Sequence, residues 1–209
     1  MKPVQKLVLA TRNRDKVKEI KDLLSDTGIA LKTLDDFPGA PEVEEDGATL
    51  EENAIKKAKQ IADYTGLTSV ADDTGLEVEY LGGRPGVFSS RYSREGATYA
   101  ENVAKLLRDL QSVPWEERGA RFRCVVALCH EGEVYTVEGV CEGVISESPQ
   151  GEGGFGYDPV FYVPQYERTF AEMSPEEKNR ISHRAKAFQA LKRLLLELSG
   201  SKSGRSAVR

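Results

Sequence analysis

The sequence predicts an α/β fold built on a mixed β-sheet, and three observations carry that reading. The apolar run Leu7-Val8-Leu9 stops at a polar cluster and gives way to helical spacing, as a buried strand does when it turns into a covering helix. Further helical stretches are interspersed among strand-like ones along the chain. In the second half, Arg121 to Cys129 and Glu133 to Ile145 are β-rich runs that meet at Glu131-Gly132, the arms and turn of an antiparallel hairpin. Helical connections together with a hairpin predict a mixed sheet, with room for two lobes and a cleft between them.

In chain order, the first strand ends at Thr11-Arg12-Asn13-Arg14-Asp15-Lys16, after which Val17, Ile20, Leu23 and Leu24 recur at helical spacing. A second helix is predicted from Thr49, which has capping-box spacing to Glu52, with Ala54, Ile55, Ala58, Ile61 and Ala62 on its apolar face and Gly66 as its stop. Ser69-Val70-Ala71 reads as a short strand ending at Asp72-Asp73-Thr74-Gly75, followed by a separate extended piece, Leu76 to Leu81, and the loop Gly82-Gly83-Arg84-Pro85-Gly86. Val103, Leu106, Leu107 and Leu110 place a third helix between Thr98 and Pro114. Beyond the hairpin, the glycine-dense loop Gly151 to Pro159 leads into a strand, Val160 to Val163. A last helix runs to about Leu198, with Phe188, Leu191, Leu195 and Leu198 on one face. The polar, basic stretch Ser199 to Arg209 predicts a disordered tail, so residues 1–198 read as a single domain without repeat or linker.

Composition excludes several classes of function. The 209 residues carry 29 Lys+Arg against 34 Asp+Glu, a net charge of -5, so no overall positive field attracts a nucleic-acid backbone. No run approaches the roughly 18 apolar residues of a membrane span, and the first residues do not resemble a signal peptide; the expectation is a cytoplasmic protein with no membrane partner. Three cysteines without a C-x-x-C pair and two histidines argue against a disulfide scaffold and a zinc site.

Four constellations could carry chemistry. Thr11-x-Asn13-x-x-Lys16 offers a helix N-terminus, short polar side chains and an ammonium suited to a polyphosphate; the alternative is helix capping by Asn13 or Thr11 with a solvated Lys16. Glu44-Glu45-Asp46 and Asp72-Asp73 supply hard oxygens of the kind Mg2+ takes. Adjacent strand residues point to opposite faces, so one of Asp72 and Asp73 would be ligand or base and the other structural. In Gly153-Gly154-Phe155-Gly156-Tyr157-Asp158-Pro159 the glycines admit a flat ligand, the aromatics offer a stacking face and Asp158 a hydrogen-bonding edge; the alternative is a tight turn with core aromatics. Lys178 with Ser182-His183-Arg184 makes a cation set for phosphate or carbonyl oxygens. On one helix begun by Ser174, Lys178 and His183 would lie well apart, so either the helix breaks near Ser182 or these residues do not share a site.

In order and wording these segments resemble one family. Leu9 to Lys16, Glu51-Glu52-Asn53-Ala54, Ala71-Asp72-Asp73-Thr74-Gly75-Leu76, Gly83-Arg84-Pro85-Gly86-Val87, Ser89-Ser90-Arg91-Tyr92, Gly154 to Pro159 and Ser182-His183-Arg184 are similar to the motifs of the inosine triphosphate pyrophosphatases, the noncanonical purine nucleoside triphosphate pyrophosphatases related to Ham1. The resemblance covers Leu7 to about Leu195. It implies an elongated α/β fold with two lobes around a central nucleotide cleft, a homodimer, and Mg2+-dependent hydrolysis of XTP, ITP and dITP to the monophosphate and pyrophosphate, which cleanses the nucleotide pool. Carried over by position, Thr11, Arg12, Asn13, Arg14, Asp15 and Lys16 would hold the triphosphate. Glu45 and Asp73 would hold the metal, with Asp73 also the general base and Thr74 on the substrate. Phe155, Gly156, Tyr157 and Asp158 would bind the nucleoside, with Phe155 stacked on the purine, and Lys178, His183 and Arg184 would complete the pocket. Thr74 stands where the family often has Ser and keeps its hydroxyl.

The chemistry agrees with that assignment. Splitting the α–β phosphoanhydride needs a water nucleophile, charge neutralisation on the phosphates and a pyrophosphate leaving group, for which two carboxylates and Lys16 with Lys178 are suited. A 6-oxo purine offers an acceptor where adenine offers a donor, so Arg184 or a backbone N–H would favour the former. Glu44 and Glu45 are both available as the metal ligand. Two rival readings remain: a Maf-like pyrophosphatase acting on other nucleotides, and a nucleotide sensor without catalysis.

Overall fold

The computed structural model describes residues 3–200. Strand β1 (Lys6–Leu9) leads through Asn13, whose side chain accepts from the backbone N–H groups of Asp15 and Lys16, into helix α1 (Arg14–Leu23). Strand β2 (Ala30–Thr33), which the apolar pattern does not reveal, pairs parallel with β1. Helix α2 (Leu50–Thr65) starts on Thr49, whose hydroxyl accepts from Glu52 N–H, and stops at Gly66, where φ is 66°. Strand β3 (Ser69–Val78) lies beside β1, and β4 (Pro85–Gly86) pairs with its far end. Helix α3 (Tyr99–Asp109) opens with a Thr98–Glu101 capping box. Strands β5 (Gly119–His130) and β6 (Glu133–Ile145) form the predicted hairpin, followed by β7 (Phe161–Val163) and β8 (Arg168–Thr169). Helices α4 (Pro175–Ile181) and α5 (His183–Gly200) complete the described chain. The sheet order is β2-β1-β3-β5-β6-β7-β8, with β4 beside β3; β1 is parallel to β2 and β3, and the remaining pairs are antiparallel. Among the described residues no helix is long and apolar enough to cross a membrane.

Two boundaries differ from the sequence expectation, and at a third the packing decides between open alternatives. The short strand and the separate extended piece are one strand: all ten residues of β3 pair with β5, from Ser69 opposite Cys129 to Val78 opposite Ala120. Side-chain polarity does not interrupt a backbone ladder whose partner strand continues, so Asp72 and Asp73 lie in mid-strand rather than at a strand end. Gly75 is not a turn but a crossing point, where an added Cβ would sit 2.7 Å from the carbonyl oxygen of Gly86. Of the two alternatives for the final helical region, the break near Ser182 is the one present: Ser182 (ψ 156°) separates α4 from α5. Helix α5 extends to Gly200, past the expected end at Leu198; the rest of the expected tail, 201–209, lies outside the described residues.

The core is in three parts, and β3 with β5 passes through all of them. Val70, Cys124, Val126 and Leu128 face α5 and α1 through Phe188, Leu191 and Ile20, while Ala71, Val125 and Ala127 face α2 through Ala54, Ala58 and Ile61. Further along the same strands Leu76, Val78, Ala120 and Phe122 pack with α3 and β7 around Leu106, Phe161 and Phe170. Asp72 to Gly75 thus occupy the junction between the two lobes.

Helix α5 lies against β6 at Gly139, where an added Cβ would collide with the His183 carbonyl oxygen and the Ala187 amide. Gly139→Ala therefore must push the start of α5 off the sheet. It is expected to lower unfolding stability by about 1–3 kcal/mol, read as a lower urea midpoint; an unchanged midpoint would show that α5 tolerates the displacement.

Candidate active site

A cavity of about 1000 Å³ opens at the middle of β3, walled by the start of α1, the Pro41–Asp46 segment, Phe155 to Asp158, and the α4/α5 junction. Because neighbouring strand residues alternate, Asp72 and Asp73 serve two different charge clusters on opposite faces of β3.

On the α1/α5 face, six buried or half-buried groups of alternating sign form a ladder. Lys16 Nζ lies 3.1 Å from Asp72 Oδ2, which Arg184 Nη2 also meets at 3.1 Å. Arg184 Nη1 reaches Glu19 at 2.6 Å, Glu19 reaches Lys178 at 2.7 Å, and Lys178 reaches Asp158 at 2.6 Å. Burial opposes the Asp72 charge, but Lys16, Arg184 and Lys57 outweigh it and hold the carboxyl far below the usual range. Arg184 also donates to the Thr74 hydroxyl at 3.1 Å, so four of its N–H directions are committed. The break at Ser182 is what brings Lys178, His183 and Arg184 to one site.

On the α2 face, Lys57 Nζ lies 2.6 Å from Glu45 and 3.1 Å from Asp73 Oδ1, and donates to the Asp72 carbonyl at 2.7 Å. Asn53 Nδ2 donates to Asp73 Oδ2 at 3.1 Å. Arg91 binds the Glu45 backbone carbonyl at 2.9 Å, tying this loop to the opposite lobe. Two carboxylates on one ammonium leave the cluster one negative charge in excess. Burial raises the Asp73 carboxyl above its ordinary value, Lys57 and Lys16 oppose that, and the Glu45 charge adds to it. Burial also works against the Glu45 charge, but the Lys57 ammonium holds its carboxyl below the ordinary value. Of the two adjacent glutamates, Glu45 shares the cation with Asp73, while Glu44 is exposed.

At the other end, Gly154 (φ 68°) leaves no room for a Cβ beside the Asp158 carboxylate, whose Oδ2 accepts from Phe155 N–H at 2.8 Å. That bond holds the Phe155 ring in the cavity wall, with Lys178 Nζ 4.9 Å and Arg184 Cζ 5.5 Å from its centroid. Asp158 therefore shapes the loop, and the Tyr157 hydroxyl is committed to the Ser89 carbonyl at 2.9 Å with its ring in the core. His183 stacks on Phe122 at 4.5 Å, and its Nδ1 is buried with no hydrogen-bond partner among the described residues. Burial, together with Arg184 and Lys178, lowers its pKa well below 6.5, so the ring is neutral.

The capping reading of the first motif holds for Asn13 but not for Lys16. Asn13 is a helix cap and Thr11 Oγ1 accepts from Asn13 N–H at 3.2 Å, yet Lys16 is not a solvated lysine: it reaches Asp72 at the cavity wall. Arg12 lines the cavity and donates to the Ala40 carbonyl at 2.7 Å. Arg14 and Asp15 do not line it: Arg14 is exposed, and Asp15 accepts from the Tyr99 hydroxyl at 3.1 Å. They fall outside because the first helical turn directs successive side chains around the axis, and Lys16 takes the inward position. Lys57, Asn53 and Glu19 were missed by sequence reasoning. Asn53 and Lys57 stand four apart in the apolar stripe of α2, a detectable polar pair on a buried face. Glu19 follows Lys16 by three and gives no signal of its own.

A sequence model of the Ham1 family matches residues 7–194. A dITP/XTP pyrophosphatase of Desulforamulus reducens is 53% identical over 194 residues, covering 92% of this chain and 96% of the relative. One of the same name from Geobacter sulfurreducens is 54% identical over 188 residues, covering 90% and 94%. Among solved structures, a HAM1 protein from Coxiella burnetii superposes with a TM-score of 0.84 at 45% identity, covering 92% of this chain and 98% of that one. The Staphylococcus aureus Ham1 protein gives 0.82 at 37% identity, with 92% and 99% covered.

Burial opposes the Glu19 charge, but Arg184 and Lys178 hold its carboxyl below the ordinary 4.5. A lowered carboxyl contributes stability above pH 4.5 and loses it as pH falls through the folded value. Glu19→Gln is expected to cost on the order of 3 kcal/mol at pH 7, with the gap to wild type narrowing in urea titrations below pH 4.5. A gap of the same size at pH 7 and pH 3 would remove the ion pairs as its cause.

Proposed function

The chain belongs to the Ham1 family, and from that premise we propose that it hydrolyses noncanonical purine nucleoside triphosphates, XTP, ITP and dITP, to the monophosphate and pyrophosphate with Mg2+ as cofactor. One observation carries the reading: Glu45 and Asp73 are brought together at the cavity wall by the Lys57 ammonium on one face of β3, while Lys16, anchored from the other face, opens into the same cavity.

The donor set suits Mg2+. Two hard carboxylates whose oxygens lie within 3.1 Å of one ammonium, with a negative charge in excess, are what this ion takes when substrate phosphates and water supply its remaining ligands. Held by Glu45 and Asp73 on the cavity side, beside Lys57, it would neutralise phosphate oxygens and lower the pKa of water. The rest of the chemistry falls to the chain's own residues. Lys16 and Lys178 face the triphosphate and offset charge developing on it. Asp73 takes the proton of the water whose oxygen bonds to the α-phosphorus as the bond to the bridging oxygen breaks and pyrophosphate leaves. Lys57 and Asn53 hold that carboxylate in place. Phe155 supplies the stacking face for the purine, and the remaining Arg184 N–H, 5.5 Å from that ring at its Cζ, with the neutral His183 of the cavity wall, would read the 6-oxo group.

Two further parts of the reading are a homodimer, measurable by sedimentation, and a cytoplasmic location, which the three free, buried cysteines support because a reducing compartment keeps thiols unpaired.

The test is pyrophosphate release from ITP, XTP, dITP, GTP, ATP, dTTP and UTP, with Mg2+ and with chelator. Turnover confined to the first three and abolished by chelator is expected. Preference for dTTP or UTP would instead favour a Maf-like activity, and ITP binding without turnover a sensor. Asp73→Asn should lower kcat by about 10²–10⁴-fold with ITP affinity largely kept; a near wild-type rate would remove Asp73 as the base. Lys16→Ala should raise KM, and it should also lower stability by about 3 kcal/mol because Asp72 loses a buried partner.

A further inference from the structure

Resting on the nucleotide reading just given, we propose that Tyr99 forms the sugar subsite of the cavity: its ring covers the sugar, and its hydroxyl hydrogen-bonds a sugar hydroxyl. Tyr99 is the first residue of α3 and lines the cavity from the lobe opposite α1. Its ring centroid lies 5.9 Å from that of Phe155, tilted by 42°. At its other end the hydroxyl donates to Asp15 Oδ2 at 3.1 Å and accepts from Asn13 Nδ2 at 3.1 Å, at the entrance to α1.

Tyr99 therefore touches both the aromatic ring assigned to the base and the helix start assigned to the triphosphate. In a nucleoside triphosphate the group between base and phosphates is the sugar, so a residue that spans those two subsites runs alongside it. The side chain suits that neighbour. An aromatic face covers the apolar side of a furanose, and a phenolic oxygen that has donated its proton and accepted one bond keeps a lone pair for a further donor. The residue is 43% exposed, so its ring is open to a ligand rather than sealed in the core. The bonds to Asn13 and Asp15 leave the hydroxyl no freedom to turn away, so the contact is preorganised.

The experiment compares wild type, Tyr99→Phe and Tyr99→Ala on ITP, on its 2′,3′-dideoxy analogue, and on tripolyphosphate as an inhibitor with neither sugar nor base. Tyr99→Phe is expected to raise KM for ITP about 3- to 10-fold with kcat within about 2-fold, the range of one hydrogen bond. It should leave the dideoxy analogue and tripolyphosphate within about 2-fold, since neither has the hydroxyl to lose. Tyr99→Ala should raise KM for the dideoxy analogue as well, because the ring is gone, again without weakening tripolyphosphate. Equal losses for ITP and the dideoxy analogue in Tyr99→Phe, a parallel loss for tripolyphosphate, or no change in either variant would overturn the proposal. Wild type that fails to hydrolyse ITP would count against the nucleotide reading alone; the same comparison, run on calorimetric binding of the three ligands, then decides the role of Tyr99.

Discussion

The arrangement depends on a buried carboxylate that cannot be left unpaired. Asp72 is 1% exposed in the middle of a sheet, and a charge in that position requires cations. Lys16 from α1 and Arg184 from α5 meet it, and Arg184 in turn requires Glu19, which requires Lys178, which requires Asp158. Each member is paired with its neighbours, Asp72 through Oδ2 alone while its Oδ1 is buried without a hydrogen-bond partner among the described residues, so the ladder is determined as a unit. Ion pairs of this kind contribute modestly to net stability, because desolvation offsets their attraction. Their value here is position: they bind four segments remote in sequence to one strand.

That strand separates two tasks by its pleat. Asp72 organises cations on one face, while Asp73 and Glu45 keep a negative charge in excess around Lys57 on the other. Both faces contribute to one cavity because the junction between the lobes falls at this point of β3, between Ala71, which packs under α2, and Leu76, which packs under α3. The ladder itself pairs three cations with three carboxylates. A triphosphate entering the cavity thus meets no large surplus of positive charge from the protein, which is the physical reason the proposed reaction calls on a divalent cation at the carboxylates.

Aromatic groups are positioned by the same charges. Asp158 is shared between Lys178 and the backbone of Phe155, so the ladder ends by setting the ring assigned to the base. His183 is kept neutral by burial and by the adjacent cations, and it is pressed on Phe122 where α5 meets the sheet. The close contact at Gly139 sets that distance, so a glycine without polar chemistry governs where two polar side chains stand.

Much of this is legible in the chain. Periodicity and capping residues gave α1, α2, α3 and the β5–β6 hairpin, and the spaced motifs marked Lys16, Asp73, Phe155 and Arg184 before any geometry was known, because these signals are local. The alternation of a strand predicted that Asp72 and Asp73 would divide their roles. Tertiary structure decided what local pattern cannot hold. It joined two short strands into one, since β5 pairs with every residue of β3. It chose the break at Ser182, which lets Lys178 and Arg184 converge, and it placed Arg14 and Asp15 outside the cavity. It also recruited Glu19, Lys57 and Tyr99, whose partners lie 12 to 165 residues away. Sequence determines which side chains are available and which local element carries them; the pairing of buried charges between remote elements is a global condition, met only when the whole chain is packed.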